Sequence, residues 1–346
     1  MFTRANPFVT SMSLVLVLFS VCAWVWSPLY LTPDDWFQVF MCRGSACFLR
    51  PDPHLGLSHA GLGSMLVWLY SRWGEISWYP CFLVITQILS WGGPLAWIRL
   101  RGEGWGSYAV CLWGASFAAF GIPCFQQLNF TTTSVLAGLS GLLLFLGDPG
   151  AGRGRDRFFV SAIGLVLCIH SFLLRDDAFL LSALLWLPWW LARRGLFVGW
   201  ESWRGRLGVL LVVVALLFAW DRAFYVGGDD WNGWKDYLRT VRKATYVTAP
   251  EGSTESVRVR GLLGWSLNDE RMLRSWYMWD KETFSPKNLG AYSDLLGGWK
   301  GLGSLRGLGE AVLSDARAWL LILGGILGGI GLSVGHLFGI VGALVA

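Results

Sequence analysis

The sequence predicts an all-α protein, a polytopic bundle of membrane-spanning helices. Three observations predict it. Of 346 residues, 54% are hydrophobic and 15% charged, whereas a soluble chain of this size needs more polar surface. The apolar residues gather in blocks near the ~20 residues that cross ~30 Å of hydrocarbon. Between the blocks, Arg fills one set of connections and Asp the other. A membrane β-barrel would need alternating polarity, and the run 207–219 is apolar on every face.

Taken in order, spans are expected near 9–30, 79–98, 106–125, 129–146, 158–174, 178–192, 207–226 and 317–345, about eight in all. The first follows Arg4 and could pass for a signal peptide. Its apolar run is too long for one and no small-x-small cleavage site precedes Pro33, so it reads as a retained span. The connections 99–105, 147–157 and 193–206 hold Arg99, Arg101, Arg153, Arg155, Arg157, Arg193, Arg194, Arg204 and Arg206. With Arg4 they form one cytoplasmic set, which puts the N-terminus inside. The connections 31–78, 121–128, 175–177 and 227–316 are then exterior, and this set contains every acidic cluster. Carboxylates are costly near a bilayer, so their gathering on one face suggests a site.

The segment 55–73 is apolar but short and interrupted by Gly and His, which suits an interfacial or re-entrant helix. As a span it would flip every later loop and place the arginines outside. Residues 227–316 mix charges with apolar residues at helical spacing and predict short amphipathic helices in an exterior lobe. Ser285 and Pro286 mark a helix start there, as N-cap and first residue. The organisation is a bundle over 1–226 with the exterior loop 31–78, a lobe over 227–316, and a Gly-rich final span over 317–346.

The net charge of +5 is spread over short loops in the manner of topogenesis, so no nucleic-acid partner is implied. Many of the 23 Trp residues lie near span ends, among them Trp24, Trp26, Trp78, Trp186, Trp189, Trp190 and Trp220, as in an interfacial belt. Seven cysteines show no zinc or redox spacing. Cys42 and Cys47 share the exterior loop as either a disulfide or two thiols.

Thr32-Pro33-Asp34-Asp35-Trp36-Phe37, Gly44, Pro51-Asp52-Pro53-His54, Leu69-Tyr70 and Trp78-Tyr79 resemble the first exterior loop of a group of uncharacterised bacterial polytopic membrane proteins. Gly264-Trp265-Ser266-Leu267-Asn268-Asp269, Trp276, Asp280 and Phe284-Ser285 resemble a second motif of that group. In layout the group is similar to the GT-C glycosyltransferases, membrane enzymes that take sugars from polyprenyl-phosphate donors. The resemblance implies a GT-C-like fold in a bacterial inner membrane. It also implies transfer of a sugar from a polyprenyl-phosphate carrier to a glycan, lipid or protein acceptor on the exterior face.

On that reading Asp34 or Asp35 takes the acceptor proton, at the level where a lipid-linked donor presents its reactive carbon. The bland alternative is that the pair caps the helix beginning near Trp36. Arg175 would grip the donor phosphate with Asp177 orienting it, or the two form a local ion pair in a hairpin turn. His54 would bind phosphate or relay protons, or be structural. In the lobe Asn268, Asp269 and Arg271 would contact sugar or phosphate and Trp265 would offer a stacking platform, or the same segment is simply a helix start. Carboxylate oxygens suit magnesium or manganese, so a divalent cation on Asp34 and Asp35 stays open. The rival class is a non-catalytic transporter or flippase of a lipid-linked or small polar solute. It should carry polar residues in mid-span, and the spans read as nearly free of them.

Overall fold

Helix α1 (Pro7–Val25) begins where the Asn6 side chain accepts from Phe8 N–H at 2.8 Å and Pro7 takes the first helical position. It leads through strand β1 (Leu29–Tyr30) into α2 (Pro33–Arg43), α3 (Ala60–Arg72) and α4 (Trp78–Leu100). Next come α5 (Gly106–Ser116), a π-helical turn (Phe117–Gly121), α6 (Ile122–Gln126) and β2 (Gln127–Leu128). Then follow α7 (Phe130–Leu146), α8 (Gly154–Leu174), α9 (Asp176–Ala192) and α10 (Trp200–Val226). Further along, the described residues include α11 (Thr254–Leu263), α12 (Leu267–Arg274) and α13 (Pro286–Leu295).

This is a computed structural model, and it describes residues 6–30, 33–45, 50–55, 58–101, 106–147, 154–192, 200–226, 237, 240–241, 243–245, 247, 249–274, 280 and 282–296. The expected span 317–345 lies outside the described residues, as do Cys47, Asp229, Asp230, Arg239, Arg242 and Trp276. The protein divides into two compact units, the first reaching Phe224 and the second starting at Tyr225.

Among the described residues, five helices are long and apolar enough to cross a membrane: Pro7–Val25, Trp78–Leu100, Ser107–Gln126, Gly154–Leu174 and Arg204–Tyr225. They make the protein compatible with integration into a bilayer. The expected spans at 129–146 and 178–192 are helices of 17 residues each, α7 and α9, or about 25 Å long.

Hydrogen bonds sort the ends of these helices. At one end Asn6 Nδ2 donates to Asp156 at 3.1 Å, Arg99 donates to Thr10 at 2.7 Å, and Arg206 donates to the Phe145 carbonyl at 2.8 Å. This is the basic end. At the other, β1 pairs in parallel with β2, Leu29 opposite Gln127 and Tyr30 opposite Leu128. His59 N–H donates there to the Leu173 carbonyl at 2.9 Å, and Ala60 N–H to Asp221 at 2.9 Å. This is the acidic end.

Both ends of α3 belong to the acidic end. His59 at its start is tied to the last turn of α8, and Tyr70 near its finish accepts from the Tyr79 N–H in the first turn of α4 at 3.1 Å. At 13 residues, or about 20 Å, α3 lies across the bundle and does not thread it. Trp68 and Trp73 are exposed on it and cluster edge-on with Trp78, as aromatic side chains do at a membrane interface. One buried cluster joins α2, α3, α4, α7 and α8 beneath this end, with Met41, Leu62, Leu66, Tyr79, Leu83, Phe130 and Leu174 in it. Cys42 is a free thiol in the same cluster, fully buried.

Small residues set the spacing inside the bundle. A Cβ on Gly164 of α8 would meet Phe145 N of α7 at 2.4 Å, and one on Gly141 of α7 would meet Cys168 N at 2.7 Å. The two backbones approach closely because neither carries a side chain there. The interior also holds a polar seam that the apolar reading of the spans missed. Gln87, nine residues or about 14 Å into α4, is buried and donates to Thr133 at 2.9 Å and to the Cys124 carbonyl at 3.2 Å. Thr86 bonds His170 at 3.0 Å beside it.

The second unit has its own core of Val241, Val259, Trp265, Leu273, Phe284, Leu289 and Tyr292. Helix α11 ends at Gly264, whose φ of +68° favours glycine. Ser285 caps α13 and Pro286 opens it, as the sequence leads one to expect.

Candidate functional site at the acidic end

The site is built around the first turn of α7. Asn129 caps that helix, its side-chain oxygen accepting from Thr131 N–H at 2.8 Å and Thr132 N–H at 3.1 Å. Asp35, in the first turn of α2, reaches the same place and is completely buried. Its carboxylate accepts from the Tyr79 hydroxyl at 2.8 Å, from Phe130 N–H at 3.2 Å and from Asn129 Nδ2 at 3.4 Å. One carboxylate thus joins α2, α4 and α7. It also satisfies a backbone donor at the α7 N-terminus that would otherwise be orphaned.

The two expected aspartates therefore differ. Asp35 has its oxygens facing protein donors, whereas Asp34, its neighbour in the first turn of α2, is only partly buried. Donor hydrogens aimed at both Asp35 oxygens are the reverse of what a cation needs. Among the described residues no three of His, Cys, Asp and Glu gather as metal ligands. The pair does not fit a divalent cation, and none enters the chemistry below.

Arg175, between α8 and α9, converges on the same helix start. Its Nη1 donates to Thr131 at 2.8 Å, and its Nε and Nη2 fork the Asp177 carboxylate at 2.7 and 3.1 Å. The guanidinium carbon lies 5.5 Å from the Phe130 ring centroid. Asp35 and Arg175, 140 residues apart in sequence, are therefore brought to one helix terminus.

His54 sits in the loop before α3. Its Nδ1 lies 2.6 Å from Asp52, whose Oδ1 also accepts the His54 N–H at 2.9 Å, and its ring packs on Phe224 at 4.9 Å. His59 is fixed in one neutral tautomer. Its Nδ1 accepts from Gly61 N–H at 2.8 Å, so Nε2 carries the proton it donates to the Leu217 carbonyl at 2.7 Å. Asp221 caps α3 from α10. Sequence reasoning passed over Asp221, although it interrupts the apolar run 207–226 with a charge.

Gln38 was also passed over. It is buried one turn beyond Asp34, and its Oε1 accepts from the Ser58 hydroxyl at 2.7 Å while its Nε2 has no partner among the described residues. A buried orphan donor costs about 1–3 kcal/mol. The i, i+4 spacing from an acidic residue is the signal that could have found it.

The lobe residues expected to bind sugar have other work. Asp269 accepts from Ser266 N–H and hydroxyl, both at 2.7 Å, and its own N–H donates to the Ser266 hydroxyl at 3.2 Å, a reciprocal cap on α12. Trp265 is buried, stacked on Tyr292 at 5.1 Å and edge-on to Phe284 at 5.5 Å. Arg271 pairs with Glu251 at 2.5 Å, and exposed Asn268 donates to the Met272 sulfur at 3.3 Å. The hub of the lobe is Glu270, which sequence reasoning did not single out. It is fully buried and accepts from Ser256 at 2.6 Å and Arg274 at 2.8 Å, with Arg260 at 3.1 Å. Burial pushes its carboxyl up, but the Arg274 and Ser256 hydrogen bonds and the two guanidinium charges outweigh this and hold it below the usual range. Asp280 is held low by the Thr283 hydroxyl and by the N–H groups of Glu282 and Thr283.

The chain matches no family profile, no curated protein and no solved structure.

Proposed function

We propose that the acidic end is the active site of a GT-C-like glycosyltransferase. It would pass a sugar from a polyprenyl-phosphate donor to an acceptor on the exterior face of a bacterial inner membrane, with the basic end cytoplasmic. The convergence of Asp35 and Arg175 on the start of α7, with Asp34 beside Asp35 in the first turn of α2, carries this reading. In the reaction the acceptor hydroxyl oxygen attacks the anomeric carbon while the bond from that carbon to the phosphate oxygen breaks. Polyprenyl phosphate leaves with the electron pair, and the hydroxyl proton passes to Asp34. Arg175 steadies the phosphate. A phosphate offers the two-oxygen edge that Asp177 now presents to the guanidinium, so it can replace that carboxylate on the same fork. Asp35 keeps its protein donors throughout and positions α2. The lobe residues Asn268, Asp269, Arg271 and Trp265 serve that unit's fold on this account.

The test is turnover of a panel of polyprenyl-phosphate sugars by purified protein, with lipid-linked acceptors and peptides offered together. Release of polyprenyl phosphate that depends on an acceptor supports the reading. Donor that stays intact under every acceptor tried, by protein shown to be folded, contradicts it. The seam of Thr86, Gln87, Thr133 and His170 supports the transporter as a second reading. Uptake into proteoliposomes of the same lipid-linked sugars, without hydrolysis, would favour that class.

A further inference from the structure

We infer that Gln38 is a specificity-determining residue of this site and binds a hydroxyl group of the sugar substrate together with Asp34. The inference rests on the transferase reading and names a ligand contact that the reading does not contain.

Gln38 follows Asp34 by four residues on α2, so the two side chains lie on one face of the helix, one turn apart. Helical side chains lean toward the N-terminus, which carries the carboxamide back over the turn that holds Asp34. Ser58 fixes the carboxamide from the far side by donating to Oε1 at 2.7 Å. What remains is a buried polar end with no partner among the described residues. Ser58 precedes His59, whose N–H bonds the Leu173 carbonyl two residues before Arg175. The three elements bearing Asp34, His54 and Arg175 thus come together around Ser58, which holds the Gln38 carboxamide.

The chemistry of the pair selects the ligand. A carboxylate accepts a hydrogen bond and a carboxamide N–H donates one, so the two together match a group that both donates and accepts. A hydroxyl does both. Turning the Gln38 amide end for end exchanges an orphan donor for an orphan acceptor, and a hydroxyl satisfies either, whereas a phosphate oxygen serves only the first. A site built to bond a hydroxyl rejects an analogue that lacks it, because the buried protein group is then left unpaired.

The experiment compares kcat/KM for a polyprenyl-phosphate sugar and for its monodeoxy analogues, in wild type, Gln38→Met, Gln38→Glu and Ser58→Ala. Wild type should discriminate against one deoxy position by about tenfold or more. Gln38→Met should lose that discrimination at that position alone, with the loss appearing in KM and the other positions unaffected. Gln38→Glu keeps the Ser58 bond and covers the case in which Gln38→Met fails to fold; beside Asp34 it offers a second acceptor and no donor to the hydroxyl oxygen, so the preference should fall there too. Ser58→Ala removes only the clamp and should retain it. Equal discrimination in wild type and both Gln38 variants would overturn the inference while leaving the transferase intact. So would a loss reproduced in full by Ser58→Ala, which would make Gln38 structural. Absence of any wild-type turnover would instead sink the reading on which the inference stands.

Discussion

Replacing Asp35 should cost stability before it costs chemistry. Both the Tyr79 hydroxyl and the Phe130 N–H bond its Oδ1, at 2.8 and 3.2 Å, whereas Asn129 Nδ2 approaches Oδ2 at 3.4 Å. In Asp35→Asn the first two bonds survive on the remaining oxygen. The new amide would face the Asn129 amide donor to donor. Asn129 cannot turn over to relieve this, because its own oxygen is held by Thr131 and Thr132. The expected loss is about 1–3 kcal/mol. Asp35→Ala strands two buried neutral donors at about 1–3 kcal/mol each, or roughly 2–6 kcal/mol together. Tyr79→Phe removes one charge-assisted bond, worth about 1.5–3 kcal/mol. Combined with Asp35→Ala it should cost less than the two single losses added, since the hydroxyl is already stranded in the alanine variant. Thermal unfolding of the purified protein in one detergent reads all four proteins. Strictly additive losses, or Asp35→Ala unfolding with wild type, would refute the latch and return Asp35 to candidacy as the base.

Three further outcomes follow from the same coordinates. Arg175→Lys keeps the charge but loses the fork, so the donor KM should rise about 10–100-fold with little change in melting temperature; an unchanged KM would remove Arg175 from phosphate binding. Gly164→Val drives a side chain into the α7 backbone and should destabilise by about 1–3 kcal/mol or more. Gly208→Val, where a Cβ meets nothing within 4 Å, is the control and should be silent. Because the Glu270 carboxyl is held below its ordinary value of 4.5, the stability it lends the lobe is complete above that value and drains away as pH falls through the lowered one. Hydrogen exchange over α11–α13, corrected for the intrinsic rate at each pH, should show this acid loss in wild type and a flatter profile in Glu270→Gln.

Much of this end was legible in the sequence, and the parts that were not have physical causes. Hydropathy located the described apolar helices because each residue contributes to a window average regardless of its partners. The Ser285–Pro286 start and the Ser266 cap were readable for the same reason, since caps are local. Which of Asp34 and Asp35 is buried was not readable. It depends on Tyr79 and Phe130, 44 and 95 residues away, and on how α2 rotates against them. The lie of α3 needed both of its ends to be placed by tertiary bonds. Gln87 escaped notice because one amide hardly lowers the mean hydropathy of α4, although its burial makes it a fixed part of the bundle. Asn268, Asp269 and Trp265 show the other side: a motif that looks specific also builds one helix cap and one packed ring.

The most direct test of the central claim sets Asp34 against Asp35 in one preparation, measuring acceptor-dependent turnover and melting temperature for Asp34→Asn, Asp35→Asn and wild type. The account predicts that Asp34→Asn abolishes turnover, retains donor binding and melts with wild type. It predicts that Asp35→Asn melts lower and, below that transition, still turns over. The reverse pattern, turnover kept in Asp34→Asn and lost in a fully stable Asp35→Asn, would contradict it.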